Sequence, residues 1–155
     1  MPTNTSEERE IQTLDIRQEQ TVDAPIEVVF QAMLDELGPQ SQMPDGKPLA
    51  LKLEAWPGGR WFRDLGNSAG HLWGHVQVIK PPTLLEICGP MPMSYPATNH
   101  LQYRLTAEGE RTRINFAHRA VGLIPREHRE GMPQGWEFWL KRILETAESR
   151  RDKKR

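Results

Sequence analysis

The end of this chain constrains the fold more than any other part. From 132 to 147 the apolar residues Met132, Trp136, Trp139, Leu140, Ile143, Leu144 and Ala147 share one helical face. They fall within an arc of roughly 140°, and Phe138 lies off it. A helix with such a stripe must bury it against another element. What precedes the helix has the period of strands. LALKLEAW (49–56), GRWFRDLG (59–66), HLWGHVQVIK (71–80) and TLLEICG (83–89) follow one another, separated by Gly- or Pro-rich turns. HLQYRLTAEGE (100–110) and RTRINFAHRAVG (111–122) read as a hairpin turning at Glu108-Gly109-Glu110. The concave face of a sheet made from these strands is the only apolar surface large enough to cover the helix. The expectation is therefore α+β, a curved antiparallel sheet wrapped around a long C-terminal helix.

The first half adds a strand and a short helix. Between Ile11 and Val22, Leu14, Ile16, Gln18, Gln20 and Val22 alternate as in a partly exposed strand. Asp23-Ala24-Pro25 pairs a capping side chain with a proline near a first helical turn. Ile26, Val29, Phe30, Met33 and Leu37 then recur at helical spacing, and Gly38 offers a left-handed C-cap before Pro39. Residues 38–48 read as a loop. Gly131, Pro133 and Gly135 predict a break between a short leading helix, with Arg126 and Glu130 as an i,i+4 pair, and the long one. Cys88, between Ile87 and Gly89, reads as buried packing. With 155 residues the chain suits one domain, 11–150, between a disordered tail at 1–10 and a solvated basic tail at 151–155.

Composition removes several function classes. Twenty Lys and Arg against 21 Asp and Glu leave a formal charge of -1, with no basic field for nucleic acid. One cysteine forms no internal disulfide, which points to a reducing, cytoplasmic setting. The polar start MPTNTSEEREIQ has no signal-peptide core, and no apolar run is long enough to predict a membrane span. His71 and His75 would pair on a metal if helical. On a strand they stand roughly 13 Å apart, and no zinc site or other metal is expected. No phosphate loop, dinucleotide fingerprint or nucleophile elbow is present, and no cofactor is expected.

Several pieces resemble the START/Bet v 1-like superfamily, and within it the branch named for the activator of Hsp90 ATPase. They are VDAPIEVVFQAML, WPGGRWF, GHVQVIKPPTLLEI, and ERTRINFAHRAVG followed by GMPQGWEFWLKRI. Their order and spacing run from about Ile11 to about Ala147. The resemblance implies a helix-grip fold enclosing an apolar cavity. Members bind lipids, sterols, hormones or aromatic polyketides, and some are cyclases or other enzymes. The named activator stimulates a chaperone, with major contacts made by a separate N-terminal domain. This chain has no room for one, which counts against that role.

Candidate site residues follow from the inward faces. Trp56, Trp61 and Trp73 lie on or beside three strands, Tyr103 and Phe116 on the last hairpin, and Met132, Trp136 and Leu140 on the helix. They serve either as core or as pocket lining. His118 shares the face of Thr112, Ile114 and Phe116. It is a polar handle or general base, or else a core histidine bonded to a backbone carbonyl. Met91 and Met93 fit an adaptable pocket rim or loop packing. Gly131 to Gly135 fits a hinge that admits a ligand. Three functions remain open: binding of a small apolar or amphipathic ligand, acid–base catalysis at His118, and docking to a chaperone or regulator.

Overall fold

A computed structural model describes residues 9–153; residues 1–8 and 154–155, parts of the two expected tails, lie outside the described residues. The chain runs β1 (Gln12–Val22), α1 (Ile26–Leu37), β2 (Leu51–Leu53), β3 (Arg60–Gly66), β4 (Ala69–Lys80), β5 (Leu84–Gly89), β6 (Ala97–Glu108), β7 (Arg111–Gly122) and α2 (Arg126–Lys153). The strands form one sheet in the order β1-β7-β6-β5-β4-β3-β2, with every neighbouring pair antiparallel. Hairpins make each step except β1 to β2, where α1 and the following loop carry the chain from one edge of the sheet to the other. The apolar face of α2 packs on the sheet through Trp136, Leu140, Ile143 and Ala147, all buried. This is the helix-grip arrangement.

Local chemistry sets the turns. Two residues, Gly109 and Glu110, close the β6–β7 hairpin, and Asn67 and Ser68 close β3–β4 with both φ values positive. The strand expected at 49–56 shrinks to three residues. Ala50 has φ 55, and the Glu54 carboxylate turns onto Arg60, accepting from its backbone N and its guanidinium at 2.8–2.9 Å. Trp56 is thereby left in a turn, 56% exposed. Bulges in β4, opposite Trp61/Phe62 and near Gln77, bend the sheet. Where β4 and β5 curl most closely, Gly74 and Gly89 face each other. A Cβ on Gly74 would stand 2.7 Å from the Cys88 carbonyl oxygen, and one on Gly89 would strike the Gly74 backbone.

Three local expectations are corrected. Asp23 does not cap α1; Pro25 holds the N-cap position without a side-chain bond, and the Asp23 carboxylate pairs with Arg151 at 2.6 Å. Gly38 is not left-handed (φ -112); Leu37 O accepts instead from the Trp61 indole at 2.7 Å, and Asp35 O from the backbone N of Gly38 and Gln40. The helix does not break at 131–135, and no separate leading helix forms. Pro133 sits inside one continuous helix, and its carbonyl accepts from Gln18 on β1 at 2.8 Å, so the sheet braces the weakened turn. In the last turn of α2, Arg150 binds Asp35 at 2.8 Å and Arg151 binds Asp23.

One buried charge locks the two helices together. Glu36 is fully buried, and its carboxylate accepts from Arg142 Nε at 2.9 Å and from Thr146 Oγ1 at 2.8 Å. Its backbone carbonyl accepts from the Trp139 indole at 2.8 Å. The polar bonds thus fix the rotation of α2 and decide which of its residues look toward the sheet.

Candidate functional site

A cavity of about 380 Å3 opens where the first half of α2 leaves the curved sheet. The helix contributes Met132, Gly135, Trp136, Phe138 and Trp139 to its wall. The sheet contributes Arg63 from β3, Trp73 from β4 and His118 from β7. Two loops close the rest, one through Gln42, Met43, Pro44 and Leu49, the other through Met91, Pro92 and Met93. No aspartate or glutamate lines it.

The wall is an aromatic cluster. Trp136 and Trp139 stack with centroids 5.5 Å apart, and the Trp73 ring meets Trp139 edge-on at 6.3 Å. Trp61 stands behind them, 5.0 Å from Trp73 and 5.9 Å from Trp139. Of the residues singled out from sequence, Trp73, His118, Met132 and Trp136 meet at the cavity. Trp61, Tyr103, Phe116 and Leu140 are buried behind it, with Phe116 supporting Trp136 at 4.9 Å. Trp56 takes no part, because the Glu54–Arg60 turn carries it outward.

Others were missed. Phe138, placed off the apolar face by periodicity, reaches the cavity because the 42–49 loop extends the lined arc around the helix. The spacing Gly135, Phe138, Trp139 (i, i+3, i+4) was the available signal. Arg63 lies two residues after Trp61 on the same strand and so on the same inward face; alternation alone could have found it. Met91 and Met93 are both packed and lining, being nearly fully buried. Met91 N donates to Trp73 O at 2.8 Å, and Tyr95 bonds His128 of α2 at 2.6 Å, which ties this loop to both walls.

His118 lines the cavity and is bonded to two side chains, not to a backbone carbonyl. The Trp136 indole N–H donates to Nδ1 at 3.0 Å, and an indole nitrogen is only a donor. Nδ1 is therefore unprotonated, the proton sits on Nε2, and Nε2–H donates to Asn99 Oδ1 at 2.7 Å. Asn99 Nδ2 in turn faces Gly89 O, Pro90 O and Met93 Sδ. Burial lowers the His118 pKa to about 4. The one basic lone pair is thus occupied by the Trp136 N–H.

The tryptophan N–H groups differ in an informative way. Those of Trp61, Trp136 and Trp139 donate to Leu37 O, His118 Nδ1 and Glu36 O. The indole N–H of Trp73 is buried and has no partner, and neither has Arg63 Nε, among the described residues. Both belong to the cavity wall.

Elsewhere the chemistry is thin. Among the described residues no group of three His, Cys, Asp or Glu could hold a metal. His71 rests against Trp73, whereas His75 is exposed opposite Cys88. Cys88 is not core packing. Ile87 takes the inward side of β5, so the Cys88 thiol points outward, half-buried, and donates to Gln77 Oε1 at 2.6 Å. Burial raises its pKa, which keeps it a thiol. No helix among the described residues is long and apolar enough to cross a membrane.

Comparison with known proteins gives a consistent placement. The sequence model for activator of Hsp90 ATPase homolog 1-like proteins matches residues 23–148. No curated protein matches. An uncharacterized protein from Rhizobium leguminosarum has a similar structure, with TM-score 0.71 at 19% identity over 90% of this chain and 97% of that one. A Rhizobium loti protein gives 0.70 at 16% identity over 89% and 99%. CalU16 from Micromonospora echinospora gives 0.59 at 21% identity over 87% and 81%. At these identities the likeness is one of fold.

Proposed function

Given that this chain belongs to the activator of Hsp90 ATPase homolog 1-like family, we propose that it is a binding protein enclosing one small, largely apolar molecule between its sheet and α2. One observation carries the proposal: a cavity of about 380 Å3 walled by Trp73, Trp136, Trp139 and the Met91 and Met93 side chains. The cavity is partly open to solvent and almost wholly apolar inside. Its volume lies within the range of small-molecule sites, roughly 300–1,000 Å3. The stacked indoles present flat apolar faces, and the methionines adapt to the shape of an occupant.

In this reading His118 is a positioning residue. Its bond to the Trp136 N–H, with Phe116 beneath the ring, fixes the indole before any ligand arrives. That lowers the ordering cost of binding.

The test uses N-phenyl-1-naphthylamine, a neutral fluorophore that brightens in apolar surroundings. Saturable 1:1 binding with quenching of tryptophan emission is expected. Native mass spectrometry of protein purified from its own host should show a retained small molecule. A linear, non-saturating response together with ligand-free protein from the host overturns the proposal.

A further inference from the structure

Resting on that reading, we infer that the molecule held in the cavity carries a carboxylate, received by Arg63 and the indole N–H of Trp73. Buried N–H groups in folded proteins nearly always have an acceptor. Here two in the same wall lack one, Arg63 Nε and Trp73 Nε1, and Trp73 is only 5% exposed. The indoles of Trp61, Trp136 and Trp139 donate to protein atoms, so Trp73 is the exception within the aromatic cluster.

The two groups are close along the sheet. Arg63 on β3 pairs in register with His71 on β4, and Trp73 follows two residues later on the same face. Trp73 is the extra residue of the β4 bulge opposite Trp61/Phe62, and both side chains, Arg63 and Trp73, line the same cavity.

Charge selects an anion. The guanidinium is always protonated. Among the described residues no carboxylate pairs with Arg63, and the adjacent Asp64 is engaged by Lys52 at 2.9 Å. His118 is neutral and doubly bonded, so it offers nothing to an anion. A carboxylate fits both orphans, because its two oxygens accept from a guanidinium and from an indole at once. The rest of the wall is apolar, so the ligand is an amphipathic acid whose hydrocarbon or aromatic body lies against Trp136 and Trp139.

Isothermal titration with 2-naphthoate, methyl 2-naphthoate and 2-methylnaphthalene tests this. In the unsubstituted protein 2-naphthoate should bind at least about 10-fold more tightly than the ester, the margin of a charge-assisted bond. Arg63→Met should bring acid and ester to parity while 2-methylnaphthalene affinity holds. Trp73→Phe should weaken the acid by a smaller factor and identify the Trp73 indole resonance. In 15N-labelled unsubstituted protein that indole proton should move downfield with 2-naphthoate and not with 2-methylnaphthalene, a reading that needs no arginine variant. Equal binding of acid and ester, a preference that survives Arg63→Met, or an unmoved indole proton overturns the inference while leaving the cavity reading intact. Failure of all three probes to bind removes both.

Discussion

Gly135 offers the sharpest separation of cavity from core. It lies in the interior of α2 and lines the cavity, and a Cβ added there meets nothing within 4 Å. Glycine in a helix interior is about 0.8–1.0 kcal/mol less favourable than alanine. Gly135→Ala should therefore stabilise the protein by nearly that amount, because no neighbour must move. For a chain of this size about 1 kcal/mol corresponds to roughly 2–4 °C in Tm. Gly135→Leu should keep most of that gain and place a branched four-carbon side chain at the exposed mouth of the cavity. Its affinity for N-phenyl-1-naphthylamine should fall at least about 10-fold, since overpacking a filled site costs about 1–3 kcal/mol. The assays are urea denaturation followed by far-UV circular dichroism, and fluorescence titration. Stability and binding are expected to move in opposite directions, which ordinary core damage does not produce. A destabilised Gly135→Ala protein would refute the open space. An unchanged affinity in Gly135→Leu would place the ligand elsewhere.

Three further outcomes follow from packing and charge. Burial lowers the His118 pKa from 6.5 to about 4, so between those values the unfolded chain binds a proton that the folded one does not. Stability should be fully present above pH 6.5 and should fall by about 3 kcal/mol as pH drops to 4. Urea midpoints across that range should lose this component of the slope in His118→Gln. Arg142→Met leaves the fully buried Glu36 carboxylate without its cation; a loss of about 3–5 kcal/mol is expected in chemical denaturation, and a loss below 1 kcal/mol would mean the helix-to-helix lock is unimportant. Gly74→Ala forces a methyl against the Cys88 carbonyl oxygen at 2.7 Å, so thermal melts should show a cost of about 1–3 kcal/mol, and an unchanged Tm would contradict the tight β4–β5 approach.

The parts of the fold visible in the sequence are those governed by period. The stripe from Trp136 to Ala147 and the alternation of Thr112, Ile114, Phe116 and His118 each required one partner surface, and there was only one to choose. What stayed hidden depends on long-range pairing. Nothing local marks Glu36 as buried, yet it is held by partners more than a hundred residues away, Arg142 and Thr146. The β4 bulges shift register at single residues, and no local signal marks them. Pro133 and the flanking glycines argue for a broken helix on propensity alone, yet the helix runs through them, packed on the sheet and bonded to Gln18 of β1 at the Pro133 carbonyl. Phe138 joined the site because the 42–49 loop brought a wall to it, whereas Arg63 was legible from its alternation with Trp61.

The polar atoms inside this wall explain why specificity should rest on β3 and β4 and not on the histidine that sequence singles out. Met93, Asn99, His118 and Trp136 form one chain of bonds running from the loop across β6 and β7 to the helix. In that chain Trp136 can only donate, so His118 Nδ1 must accept, Nε2 must donate, and the Asn99 amide orientation is set in turn. Protonating His118 would set two donors against each other, which adds to the desolvation that already holds its pKa near 4. The chain therefore closes on itself and shows the cavity mainly the apolar faces of its members. Across the same space Trp73 and Arg63 remain unsatisfied. A ligand that buries hydrocarbon against Trp136 and Trp139 gains little polar interaction at His118 without breaking a bond there. It gains at Trp73 and Arg63 without breaking any.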